Sequence, residues 1–294
     1  MLQDSSGAFQ APRIFCVSDK ASAVSKRDSS SRTLRCRCFS LHAETSPRGE
    51  DKVSRYRFPY TLSMCGRYRL ARKKEILAEV FDVGDDVDWS PRYNIAPSQS
   101  VPVVRQDATR PVRSFSLMRW GLIPFWAKDA KAGYKMINAR AETIAEKPAF
   151  REPLLSRRCL IPADGFYEWA KRSKGKSPFC FTLGDNSVFA FAGIWDRWKN
   201  PEREVVETCS IITTSANALL SDIHDRMPVI LRGEDHDRWL DPGFKQVDDI
   251  LDLLKPYQAD SMRRYSVRSR VNSVKNDDAA CAEEYVLETL FQRK

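Results

Sequence analysis

The stretch Arg158-Cys159-Leu160-Ile161-Pro162-Ala163-Asp164-Gly165-Phe166-Tyr167-Glu168-Trp169-Ala170 decides the fold. Arg158–Ala163 and Phe166–Ala170 are apolar and aromatic runs of strand length, and Asp164-Gly165 between them is turn chemistry. The same pattern recurs around it. Phe179–Leu183 and Val188–Trp195 flank Gly184-Asp185-Asn186 and are expected to pair as a hairpin. Glu204–Thr214, Ser100–Arg105, Ser114–Gly121 and Tyr134–Ala139 read as further strands, with a short one over Cys65–Leu70 and a late one over Met262–Val274. Residues 72–81 place Ile76, Leu77, Val80 and Phe81 on one helical face. Glu142–Ser156 is predicted as a helix interrupted by Pro148 and Pro153. Asn217–Ile223 and Asp235–Leu240 read as short helices and Gln246–Lys255 as a longer one, with Val247, Ile250, Leu251 and Leu254 inward. Ser90–Pro97 carries two prolines and is expected to be irregular. Helices that do not alternate with strands as βαβ units point to an α+β fold: a single domain of twisted antiparallel sheets, open-barrel-like, with flanking helices.

Charge is unevenly spread over the 294 residues. Residues 1–63 hold 11 Lys and Arg against 6 Asp and Glu, leaving 37 against 33 for the remainder. The body is only mildly basic, so any phosphate-binding face must be local. No apolar run approaches the length of a membrane-spanning helix. Eight cysteines are too few for a disulfide scaffold, and Cys159, Cys180 and Cys209 lie in apolar runs where buried free thiols are expected. No secretory leader is legible, and a reducing compartment follows. Cys36, Cys38 and His42 make half a metal site that nothing completes. Residues 1–63 are Ser- and Arg-rich without periodicity, and read as a disordered or non-native extension, the folded domain as 64–285, and 286–294 as a tail. A transit peptide is the competing reading of the extension, against which stand its six acidic residues.

Met64-Cys65-Gly66-Arg67-Tyr68 lies well inside the chain yet reads like a beginning. If Met64 initiates and is removed, Cys65 carries an α-amine and a thiol on one skeleton. Both have usable reactive forms at neutral pH. The amine condenses with an aldehyde to an imine, and the thiol closes on it as a thiazolidine. An internal cysteine cannot do this, because its nitrogen is an amide. Three fragments follow: Ile137-Asn138-Ala139-Arg140-Ala141-Glu142, Gly165-Phe166-Tyr167-Glu168-Trp169 and Ile223-His224-Asp225-Arg226-Met227-Pro228. Cys65, Asn138 and His224 each have an arginine two residues on, and in extended chain each pair shares a face.

In this order the four motifs resemble the SOS-response-associated peptidase family, over roughly Met64 to Tyr285. The resemblance implies covalent capture of abasic sites in single-stranded DNA, including single-strand/duplex junctions, as a shield during the DNA damage response. It implies a peptidase- or lyase-like activity limited to self-processing and crosslinking. It carries roles in that attachment to Cys65, Asn138, Glu168 and His224. Glu168, shielded by Phe166, Tyr167 and Trp169, would shuttle the proton that opens the sugar. His224 would donate to the sugar oxygen, and Asn138 would hold the amine or that oxygen. DNA contact is implied for Arg67, Arg140 and Arg226 at phosphates, and for Asn94, Pro97, Phe125 and Trp126 along the groove. Trp120 reads as core. No metal or organic cofactor, no membrane and a monomer are expected, in a cytoplasmic or nucleoid setting for a bacterial chain and a nuclear one for a eukaryotic chain. Two other readings stay open. One is a thiol peptidase using Cys65, His224 and Asn138 or Glu168. The other is a non-covalent DNA-binding protein in which Cys65 stays internal.

Overall fold

The strands expected from apolar alternation form, but they choose different partners from those their turns suggest. The structure, a computed structural model, describes residues 65–84, 88–106, 112–173 and 175–286. The incomplete cysteine pair, the extension and the tail beyond residue 286 lie outside these. In chain order the strands are β1 (Tyr68–Leu70), β2 (Arg92–Ile95), β3 (Ser100–Gln106), β4 (Arg113–Trp120), β5 (Asn138–Arg140), β6 (Arg158–Ala163) and β7 (Gly165–Arg172). There follow β8 (Gly175–Leu183), β9 (Phe189–Lys199), β10 (Val205–Ser215), β11 (Arg226–Pro228), β12 (Ile230–Leu231) and β13 (Met262–Ser266). The helices are α1 (Lys74–Phe81), α2 (Arg151–Ser156), α3 (His236–Leu240) and α4 (Val247–Asp252).

Strands β10, β4, β3, β6 and β9 close on themselves, because β9 pairs again with β10. A closed ring of five strands cannot alternate direction throughout, so one neighbouring pair must be parallel. That pair is β4–β10. The short β5 also runs parallel to β10, while β11 and β12 extend the ring antiparallel. A second sheet, in the order β13-β8-β7-β1-β2, is wholly antiparallel. The fold is α+β, with one sheet closed rather than open.

The expected turn at Asp164 is a corner between the sheets. β6 pairs within the barrel, whereas β7 pairs with β1 and β8. The Asp164 amide donates to the Arg69 carbonyl at 3.1 Å, and its carboxylate accepts from the Ala71 amide at 3.1 Å. The chain switches back over Gly184–Asn186, so β8 and β9 do not form the expected hairpin. Turn residues mark where a strand stops; burial decides what it pairs with.

The alternation of β7 then separates two layers. Phe166 faces the barrel, stacked on Phe181 at 5.1 Å and edge-on to Phe191 at 6.1 Å. Tyr167 and Trp169 face away, into a smaller cluster with Cys180, Tyr265, Val267, Val271 and Cys281. Each such ring, taken fully out of water, contributes about 1.5–3 kcal/mol.

Several local expectations are corrected by packing. α1 buries Leu77 and Phe81, but Ile76 and Val80 are about two-fifths exposed (41% and 44%), so its apolar stripe is one row wide. Ser90–Pro97 contains β2, held by β1 and by the Asp277 carboxylate, which accepts from the Tyr93 and Asn94 amides. Of the expected 134–139 strand only Asn138 and Ala139 are extended, in β5; a 3-10 turn over Ala130–Lys135 precedes them. There Gly133 meets Gly121 (φ +122°), and a Cβ on either would sit 2.7 Å from the other's carbonyl oxygen. The 142–156 helix is reduced to α2 and a 3-10 turn at Ala141–Thr143. Asn217–Ile223 is a run of turns, with the Asn217 side chain accepting from the Leu219 and Leu220 amides. The late strand stops at Ser266. The core assignments of Cys159, Cys180, Cys209 and Trp120 agree with the structure.

Candidate active site

Glu168 is the fourth residue of β7 and points with Phe166 into the space between the sheets. It is almost wholly buried, and its Oε1 accepts from the Cys65 backbone nitrogen at 2.8 Å. Burial raises its pKa to about 7, against the opposing hydrogen bonds from the Cys65 and Trp169 amides. The nearby Asp225 charge pushes the same way, and Lys176 opposes it. A carboxyl poised near neutrality is suited to both taking and giving a proton. Cys65 is itself buried, with φ at +38°, a region L-residues avoid. Burial, and then the Glu168 charge, hold its thiol well above the ordinary cysteine pKa.

His224 lies in the turn between β10 and β11. Its Nδ1 accepts from the Arg226 amide at 3.0 Å, and burial lowers its pKa. Asp225 Oδ1 also lies 3.0 Å from Nδ1, a contact that needs the protonated ring. The lowered pKa favours the neutral ring, with its proton on Nε2. Two electrostatic links tie this turn to β7: Asp225 acts on Glu168, and Lys171 acts on His224. Asn138 is half-buried at the start of β5, beside Ile211 of β10. β5 and β11 thus flank the C-terminal end of β10 from opposite sides.

The three arginines diverge. Cys65 sits in a turn, so Cys65 and Arg67 do not share an extended face. Arg67 instead lies over Trp169, and its Nη1 donates to Asn94 Oδ1 at 2.7 Å and the Val271 carbonyl at 2.8 Å. Arg226 binds both oxygens of Glu142 and the Thr213 carbonyl. Arg140 alone is exposed. The groove residues divide as well. Asn94 is fully buried, and its Nδ2 donates to the carbonyls of Val271, Ser273 and Asn276. Its side chain holds Arg67 and the 271–276 segment. Pro97 is half-buried. Phe125 and Trp126 stand 65% and 54% exposed on a loop anchored by the Phe125 amide to Asp196 and by Trp198 to the Ala127 carbonyl.

Residues 64–274 match the family described as SOS response associated peptidase, SRAP. The chain belongs to the SRAP family. It is 47% identical over 226 residues to the abasic site processing protein YoqW of Bacillus subtilis, covering 76% of this chain and all of that protein. It is 35% identical over 223 residues to the abasic site processing protein HMCES of Gallus gallus, covering 66% of each. A crystal structure of a protein from Bacteroides thetaiotaomicron superposes with a TM-score of 0.69 at 30% identity, over 76% of this chain and 100% of that one.

Parts of this SRAP site escaped the sequence reading. Glu142, Asp225 and Trp169 lie inside the quoted motifs, but their partnerships with Arg226, Glu168 and Arg67 join residues 57 to 102 positions apart. Asp277, which ties down β2, has no local signal at all. Among the described residues no group of His, Cys, Asp and Glu is arranged to hold a metal ion, and no helix is long and apolar enough to cross a membrane.

Proposed function

We propose that this SRAP chain captures abasic sites in single-stranded DNA, and at single-strand/duplex junctions, through a thiazolidine on Cys65. The observation that carries the reading is the 2.8 Å contact between the Cys65 nitrogen and the Glu168 carboxyl. Once Cys65 is the first residue, that nitrogen is the α-amine, already beside a group whose pKa is about 7. The names of the relatives support the substrate. The strained φ of Cys65 supports the free terminus, because φ is defined only by a preceding carbonyl and its cost disappears with the Met64–Cys65 bond.

The chemistry balances without a cofactor. Glu168 takes the proton of the sugar C1 hydroxyl and delivers it to the ring oxygen, which the Nε2–H of His224 steadies by a hydrogen bond, and the aldehyde opens. The Cys65 amine adds to it, giving a carbinolamine. Glu168 then carries the carbinolamine N–H proton to the leaving hydroxyl, and water departs as the imine forms. The Cys65 thiol adds to the imine carbon and its proton passes to nitrogen, completing the five-membered ring. Amine, thiol and aldehyde thus become thiazolidine and one water. Ring closure protects the imine from hydrolysis and from β-elimination of the strand. Asn138 orients the amine or sugar oxygen, Arg140 meets a flanking phosphate, and Phe125 and Trp126 pack on neighbouring bases. The raised thiol pKa disfavours the peptidase reading, which needs a thiolate at neutral pH.

The test begins with the intact mass and N-terminal residue of protein expressed from its own reading frame. Each preparation is mixed with a single-stranded oligonucleotide bearing one abasic site. A denaturation-resistant adduct from chains beginning at Cys65, abolished by Cys65→Ser, is the expected result. Chains that begin at Cys65 but only bind, equally well with Cys65→Ser, would make this a non-covalent DNA-binding protein. Hydrolysis of unrelated peptides would restore the peptidase reading.

A further inference from the structure

The arginine-rich end of the chain invites a DNA-binding role, but its side chains are engaged elsewhere. Arg263 pairs with Glu284, Arg270 with Asp278, and Arg268 lies over Tyr285. Arg264 differs from these three in what it reaches. β13 places it opposite Phe181, on the face of the second sheet that looks toward the barrel. Its guanidinium lies 5.5 Å from the centre of the Phe179 ring, and Phe179 is the cross-strand partner of Glu168. From there its Nη1 donates to the Leu219 carbonyl at 3.0 Å and to Asp222 Oδ1 at 2.6 Å. Leu219 and Asp222 belong to the turns that lead from β10 to His224. Those turns are fastened inside themselves by the Ile223 and His224 amides, which both donate to the Leu220 carbonyl. They also meet the second sheet through Asn217, whose Nδ2 contacts Met262 Sδ of β13 and donates to the Tyr257 carbonyl.

Glu168 is therefore on the second sheet and His224 on the turns that leave the barrel, and their separation depends on how those turns dock. We propose that Arg264 is a positioning residue that locks the 217–225 turns onto the second sheet and so sets His224 against Glu168. A guanidinium is suited to this. Its flat face packs on Phe179 while its edge binds a carbonyl and a carboxylate in fixed directions, which an ammonium cannot do. The pair with Asp222 is partly solvated and adds little stability; what it supplies is geometry. The assignment deepens the proposed function and rests on it for the roles of Glu168 and His224, but the docking itself is a property of the fold.

The test compares wild type, Arg264→Ala and Asp222→Ala, each as protein that begins at Cys65. The second variant removes the carboxylate partner without removing a cation. Amide hydrogen exchange over residues 217–226 is expected to quicken about tenfold in Arg264→Ala, which loses both bonds and the ring contact, and about two- to fivefold in the Asp222 variant, with the barrel amides unchanged. Single-turnover adduct formation with an abasic single-stranded oligonucleotide is expected to slow roughly 10–100-fold at saturating DNA, at a half-saturating concentration changed by less than about twofold. Unchanged exchange over 217–226 in both variants would overturn the proposal. So would a weaker half-saturation and a shallower salt dependence confined to Arg264→Ala with the maximal rate intact, because Arg264 would then be a phosphate contact. A wild type that forms no adduct would count against the proposed function alone, and the exchange measurement would still decide the positioning.

Discussion

Asp164 and Glu168 are buried carboxylates four residues apart on one continuous stretch, and they meet opposite fates. Asp164 turns the corner between the sheets with Arg69 Nε at 3.4 Å and Arg72 Nε at 3.5 Å, and accepts a hydrogen bond from the Ala71 amide. Among the described residues Glu168 has no arginine partner; its hydrogen bonds come from backbone nitrogens, and its pKa rises to about 7. A buried charge compensated by two guanidiniums is fixed as structure. One left with amides keeps its proton in play.

The sharpest break of this contrast is the pair Glu168→Gln and Asp164→Asn. Glu168→Gln is expected to slow adduct formation by about 10²–10⁴-fold while leaving the protein as stable or more so. Asp164→Asn is expected to do the reverse. It strands two guanidiniums at the corner, costs about 2–4 kcal/mol in denaturant unfolding, and lowers the adduct rate only through the unfolded fraction. A catalytic loss in folded Asp164→Asn would erase the distinction.

The pH dependence sharpens it further. Glu168 has its folded pKa raised above the ordinary 4.5, so between that value and about 7 the folded state holds more protons than the unfolded one. Stability therefore falls as pH rises through this window and levels off above about 7. The full loss is of order 3 kcal/mol, and Glu168→Gln should remove it from a series of melting curves. The adduct rate should inflect near pH 7 in wild type and lose that inflection in the same variant.

The smallest effect concerns the outer member of the corner. The Arg72 side chain is 38% exposed and solvent screens its pairing with Asp164, so Arg72→Ala should cost at most about 1 kcal/mol. Arg69, at 13% exposure, should cost more on the same change in a thermal melt. Equal losses would mean that the corner is held by its backbone bonds rather than by charge.

Much of the site chemistry was legible in the chain. Cys65 followed by Gly66-Arg67, and Glu168 ringed by Phe166, Tyr167 and Trp169, present a nucleophile and a shielded acid in residue types that need no partner to be recognised. Their contact across 103 positions was not legible, and neither was the diversion of Arg67 to Asn94 and Val271. Asn94 shows why. An asparagine beside two prolines looks equally suited to a groove and to a core. Only the arrival of the 271–276 segment commits its amide to three carbonyls.

The sequence by itself determined where the longer strands run, that Cys159, Cys180, Cys209 and Trp120 are buried, and which side chains are able to do aldehyde chemistry. These follow from period-2 alternation and from functional groups, both local properties. Only the tertiary structure decided that the stretch from Arg158 to Ala170 changes sheets at Asp164, and that β8 and β9 part company after the turn that seemed to join them. Pairing is settled by which apolar faces can be buried together and by the closure of a five-stranded ring. Neither is written in any short window of the chain.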